Sequence, residues 1–136
     1  MINVILKNQY CSIVTMDSAV YMDATQGSNI ILCGSHGGES AARYMLKFSP
    51  GAAIFNDAGK GKENAGIKGL DIFEKEGIPA ATVDAFSACI GNGRDTYESG
   101  IISAVNNIAH NYGIHTGMTA MDAALKLNKI LLEKTH

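Results

Sequence analysis

The sequence predicts a layered α/β domain: a mostly parallel central sheet, helices on its faces and an antiparallel meander at one edge. Three observations carry this. "NIILC" (29–33), "AAIFN" (52–56) and "AATVDAF" (80–86) are near-continuous apolar runs of strand length, as in strands buried on both faces. Segments with helical apolar spacing separate and follow these runs, and such alternation argues a parallel sheet. Each run also ends in an unusual polar loop, where a strand hands over to a helix.

The elements follow in order. "NVIL" (3–6), "SIVT" (12–15) and "AVYM" (19–22) are short β-type runs with polar breaks, read as the edge meander. After the first buried run, Ala41, Ala42, Met45 and Leu46 recur at helical spacing over 39–48, and "SPG" at 49–51 closes that segment. Over 63–76, Ile67, Leu70 and Phe73 share one side, with Gly77 as a C-terminal stop and Pro79 beyond. Gly66 and Gly69 lie inside this helix, where each costs about 1 kcal/mol relative to Ala, so a close approach to a neighbour is expected there. Over 95–112, Asp95 reads as N-cap with Glu98 three residues on, and Ile101, Val105, Ile108 and Tyr112 continue the face. The last helix starts at Thr119 as N-cap, with Asp122 in its first turn, where the helix dipole favours negative charge.

Residues 1–136 read as one domain, and 46% apolar residues suffice for a core. The net charge is −2, no Lys/Arg cluster makes a phosphate-tracking stripe, and Trp is absent, which argues against nucleic acid as a partner. Cys11, Cys33 and Cys89 are odd in number and unpaired in spacing, the mark of free thiols in a reducing, cytoplasmic setting. No apolar run approaches the ~20 residues of a membrane span, and the N-terminus has no signal-peptide pattern, so no membrane partner is expected. The four histidines are dispersed and no paired-cysteine spacing exists, so neither a metal site nor a cofactor is expected.

Parallel strands joined by right-handed crossovers bring their C-terminal ends to one edge, where open α/β sheets bind ligands. "GSHGGES" (34–40), "NDAGKGKENAG" (56–66) and "SACIGNGRDTYE" (87–98) should meet there. They would assemble His36, Asp57 and Ser35 as catalytic candidates, with Lys60, Lys62, Arg94, Asn56, Asn92 and Ser87 as ligand-binding candidates. His36 suits acid and base roles because an ordinary imidazole titrates near pH 6.5. Lys60 and Lys62 would hold an anion, although the loop lacks the Walker A pattern. Each loop also has a plain reading. Gly34, Gly37 and Gly38 could only supply a tight turn, the lysines a solvated loop, and Arg94 with Asp95 an ion pair at a helix start.

The stretches "CGSHGG" (33–38), "NDAGKGKENAGI" (56–67), "IGNG" (90–93) and "GIISAVN" (100–106) resemble a small uncharacterised bacterial protein family. "GIHTGMTAMDAALKL" (113–127) is similar to the ends of another small family of unknown function. The resemblance covers roughly residues 29 to 127 and implies that the loops are specific features and not generic turns. It implies no activity. That family often has arginine where this chain has Cys89, which implies that Cys89 is not an essential nucleophile.

The function expected from these residues is a small-molecule enzyme, a hydrolase or lyase, acting on a small anionic, carboxylate-like metabolite at the three-loop pocket. The alternatives are a non-catalytic ligand-binding or accessory subunit using the same pocket, and a structural assembly subunit. A homo-oligomer is also expected. Ala120, Met121, Ala123, Ala124, Leu125, Leu127, Ile130, Leu131 and Leu132 spread well beyond the ~100° stripe that one core face needs.

Overall fold

Ile30, Ile31, Leu32 and Cys33 are four apolar side chains in a row, and the sheet buries all four. Successive side chains of a strand point to opposite faces, so such a run needs cover on both. The protein, described over residues 1–135 in a computed structural model, provides it with helices on each side. Six strands, β1 (Ile2–Leu6), β2 (Ile13–Met16), β3 (Ile30–His36), β4 (Ala52–Asn56), β5 (Ala80–Val83) and β6 (Ile102–Val105), lie in the sheet in chain order. β2 to β5 are mutually parallel, and β1 and β6 pair antiparallel at the two edges.

This order dictates the layers. Each step from β2 to β5 moves the same way across the sheet, so right-handed crossovers leave all their connections on one face. That face carries 3₁₀ turns at Ala19–Tyr21 and Ala24–Gln26, then α1 (Glu39–Leu46) and α2 (Gly69–Lys75). Its core joins Ile31, Cys33, Ala53 and Phe55 to Ala42 and Met45 of α1 and Leu70 and Phe73 of α2. The opposite face is closed by α3 (Gly93–Ser99), α4 (Asn107–Asn111) and α5 (Ala120–Thr135). There Ile30, Leu32, Ile54 and Val83 meet Ala109 of α4, Ala123, Ala124 and Leu127 of α5, and Tyr97 of α3.

Four sequence expectations are corrected. The segment 63–76 is not one helix: Glu63 and Asn64 take left-handed φ within a 3₁₀ stretch at Lys62–Ile67, and α2 begins only at Gly69, so Gly66 lies outside it. "AVYM" is no strand: residues 19–21 form a 3₁₀ turn whose Ser18 cap accepts the Val20 N–H, so the meander is only the hairpin β1–β2. The segment 95–112 is not one helix. α3 ends at Gly100, whose missing Cβ would lie 2.4 Å from the Thr96 carbonyl oxygen and 2.6 Å from Val83 Cγ1, and the chain then turns into β6. The N-cap of α3 is Asn92, whose side chain accepts the Asp95 N–H, and not Asp95. Thr119 does cap α5, accepting the Asp122 N–H at 3.1 Å. Most of the wide apolar arc of α5 is taken up within the chain, since Leu131 and Leu132 pack with Ile5 of β1 on the same core. Met121 and Leu125 remain exposed.

Asn106, buried between β6 and α4, holds four backbone groups. Its amide nitrogen donates to the carbonyls of Leu70 (3.2 Å) and Ile78 (3.0 Å), and its oxygen accepts the N–H of Ala80 (3.2 Å) and Ala109 (2.9 Å). Two donors and two acceptor sites are the full capacity of an amide, so no hydrophobic replacement restores them. Asn106→Ala should lower the unfolding free energy by about 3 kcal/mol or more in urea titrations, because it strands several buried polar groups. A loss below about 1 kcal/mol would mean that water takes over these bonds.

Candidate functional site

β3 does not end smoothly. Ile30, Ile31 and Leu32 pair with Ala52, Ala53 and Ile54, but the next pair is His36 with Asn56. Cys33, Gly34 and Ser35 thus oppose Phe55 alone, a bulge that bends the strand end and re-aims its side chains. Ser35 turns toward the segment after β2, and its hydroxyl oxygen accepts the Ala19 N–H at 2.9 Å. His36 emerges exposed beside it.

The three glycines of this stretch are needed for space. None has a left-handed φ. A Cβ on Gly34 would lie 2.4 Å from the Asn92 nitrogen and 2.5 Å from the Asp17 carbonyl oxygen, and one on Gly37 2.7 Å from the Gly66 carbonyl oxygen. The Gly91 N–H donates to the Gly34 carbonyl at 2.7 Å, and the Gly37 N–H to that of Asn56 at 2.9 Å. The loops after β3, β4 and β5 therefore sit against one another at the carboxyl edge. Gly66 and Gly69 serve the same packing: their missing Cβ atoms would meet the Asp57 carbonyl oxygen at 1.8 Å and that of Gly38 at 2.7 Å.

A cleft of about 570 Å³ opens at this edge, above β2 and β3. Asp17, Ser18, Ala19 and Val20 line one side, Ser35 and His36 the end of β3. Ser40, Ala41 and Tyr44 of α1 form a wall, and Ile90 with Gly91 closes the rest. The surface is largely apolar with a few polar groups, the usual character of a small-molecule site. Gly38, the residue before α1, gives no side-chain cap, so first-turn N–H groups have no side-chain acceptor from it. The Asp17 carboxylate is bound by the Met1 ammonium and the Gly93 N–H, both at 3.0 Å, which hold its pKa below the ordinary value.

No family model, curated protein or solved structure matches the chain.

The predicted residues divide sharply. Ser35 and His36 line the cleft; Asn56, Asp57, Lys60, Lys62, Ser87, Asn92 and Arg94 do not. Asp57 is 3% exposed, and its Oδ1 accepts the N–H of Gly59 (2.7 Å) and Ala85 (3.0 Å), tying the loops after β4 and β5 together. Asn56, fully buried, donates to the Ala88 carbonyl and accepts the Ala58 N–H. Ser87 donates to the Asp84 carbonyl and accepts the Ile101 N–H. Asn92 caps α3, and Arg94 pairs with Glu98 along it at 2.8 Å. Lys60 and Lys62 stand exposed in a loop where Ala58, Gly59, Lys60, Gly61, Glu63 and Asn64 all take left-handed φ. The polar loop residues are thus largely spent on backbone groups, a habit of Ser, Asn and Asp in turns that was the available signal. Asp17, Val20, Tyr44 and Ile90 were not predicted; a parallel reading of β2 would have brought Asp17 to Val20 to this edge.

The thiols offer little to the cleft. Burial pushes the Cys33 pKa up to about 11, with hydrogen bonds from Ser35 acting the other way, so it is no thiolate near neutral pH. Cys89 is exposed, and its N–H donates to Asp95 Oδ2 at 2.7 Å. Among the described residues, no cluster of three or more His, Cys, Asp or Glu could hold a metal ion. Among those residues, no helix is long and apolar enough to cross a membrane.

Two expectations follow. Asp57→Asn keeps an oxygen that can accept both N–H groups and should cost under about 1 kcal/mol, whereas Asp57→Ala removes it and should cost about 2–3 kcal/mol in urea unfolding. Equal losses would show that the charge matters and not the acceptor. Asp95 is held below the ordinary carboxylate value by the Cys89 N–H and then by Ser99. A depressed pKa contributes stability that is present above about pH 4 and lost as pH falls through the folded value. The Tm gap between wild type and Asp95→Asn should therefore narrow below about pH 4. A gap constant from about pH 6 to pH 2 would refute this anchoring.

Proposed function

We propose that the chain binds a small anionic, carboxylate-like molecule with an apolar body in the cleft above β2 and β3. The observation that supports this reading is one apolar cleft in which His36 and the uncapped start of α1 lie side by side. Tyr44, Val20 and Ile90 suit the apolar body, and uncapped helix N–H groups suit a carboxylate. The Asp17 charge is balanced by the Met1 ammonium, so it does not set the sign of the cleft alone.

In its catalytic form the reading is a hydrolase or lyase in which His36 handles the proton. The non-catalytic form, a ligand-binding or accessory subunit, is favoured by a specific observation: the Ser35 hydroxyl oxygen and Asp57 Oδ1 accept backbone N–H groups. Self-association through α5 rests on Met121 and Leu125, exposed one turn apart.

Titration of ¹⁵N-labelled protein with hexanoate should move the amide signals of Val20, Ser40 and Ile90 together, saturably, and His36→Gln should weaken the effect. Hexylamine at the same concentrations should do less. Shifts confined to the Lys60–Lys62 loop, or none at millimolar hexanoate, would overturn the reading.

A further inference from the structure

We propose that Gly38 is a positioning residue for His36, and that it fixes the neutral imidazole with its proton on Nε2. The proposal rests on the reading of the cleft as a ligand site, and it adds the role His36 plays there.

Gly38 needs an explanation that its backbone does not supply. Its φ of −86° and ψ of 177° are ordinary extended values open to any residue. As the residue just before a helix, it would more often be Ser, Thr, Asp or Asn, whose side chain caps the first turn. Here the position is occupied from outside. A Cβ on Gly38 would lie 2.7 Å from His36 Cε1 and 3.0 Å from Nδ1, and the next nearest atom, the Ala65 carbonyl oxygen, is 3.4 Å away. The imidazole lies where a side chain at residue 38 would begin. What glycine gains at this point is room for the ring.

The same contact selects a tautomer. The Gly38 N–H donates to His36 Nδ1 at 3.3 Å. A nitrogen that accepts a hydrogen bond carries no proton, so the neutral ring carries it on Nε2. Nε2 makes no hydrogen bond within the described residues. The ring lines the cleft. His36 therefore meets a ligand as a donor. Its fitting partner is an acceptor oxygen, a carboxylate or a carbonyl. In this tautomer Nε2 has no lone pair with which to take a proton, so the geometry assigns His36 the donor role and not that of a base.

Gly37 provides the contrast. Its missing Cβ faces a backbone oxygen, Gly66 O at 2.7 Å, and the methyl of buried Thr82 at 2.9 Å, and no movable ring. Alanine at 37 is a packing defect with no partner to relieve it, whereas alanine at 38 collides chiefly with His36.

The test needs no ligand in its first arm. Long-range ¹H–¹⁵N spectra of the ¹⁵N-histidine-labelled full chain, at about pH 8.5, two units above the ordinary imidazole value, report the tautomer of each ring. His36, assigned by loss of its signals in His36→Gln, should be the Nε2–H form alone. Gly38→Ala should return it toward the mixture seen for the urea-unfolded chain. In the second arm, the Tm loss caused by Gly38→Ala should vanish when His36→Ala is made as well, while the loss caused by Gly37→Ala should persist. A wild-type ring with the unfolded mixture, or an equal Tm cost of Gly38→Ala in both backgrounds, overturns the proposal. If hexanoate fails to bind while His36 is held as Nε2–H and the Tm loss is rescued, the ligand reading falls and the positioning role stands.

Discussion

The structure turns on one close approach. Residues 91–93 run so near the ends of β2 and β3 that neither Gly34 nor Gly93 has room for a Cβ, the latter within 2.3 Å of the Met16 carbonyl oxygen. The contact is sealed by the Gly91 N–H on the Gly34 carbonyl and the Gly93 N–H on Asp17 Oδ1. It brings the segment after β5 back across three strands to the far side of the sheet. That return places α3 over β2 and β3, and α5 then packs on α3. It also carries Ile90 and Gly91 to the mouth of the cleft. Without it, the strand ends would have helices on one face only.

How far the sequence could be read follows from what each segment had to satisfy. β3, β4 and β5 were legible because a strand covered on both faces cannot afford polar alternation. β6 was not. Ile101, Val105, Ile108 and Tyr112 fall at near-helical intervals, and the break that overrides them, Gly100, acts through crowding against Thr96 and Val83. Crowding is a tertiary fact that no local pattern carries. The direction of β2 was equally hidden, since four apolar or small residues look the same parallel or antiparallel.

The site divides along the same line. The meeting of three loops at one edge followed from topology. The work of each polar side chain did not, because Asn, Ser and Asp are equally apt for a ligand and for a neighbouring backbone group. Asn56, Asp57, Ser87 and Asn92 went to the backbone. His36 is the exception: its Nδ1 is engaged while the other ring nitrogen makes no hydrogen bond among the described residues. The glycines around it, which first look like turn residues, are better described as spaces reserved for a strand end, a loop carbonyl and an imidazole.

Strand order that equals chain order has a consequence for how the protein is made. Each parallel strand from β3 to β5 can join the one synthesised just before it, so half the molecule assembles from contacts short in sequence. The α1–α2 layer goes with it. The other layer cannot: the Asp17–Gly93 bond spans 76 residues and the Asn128 bond to the Cys11 carbonyl spans 117. On the ribosome, Ile13, Ile30, Leu32 and Ile54 therefore form an apolar strip that α3 and α4 cover only in part until α5 has left the exit tunnel. A nascent chain stalled before that point presents a sheet with one side still partly bare, the kind of surface that chaperones bind and that aggregates when they do not.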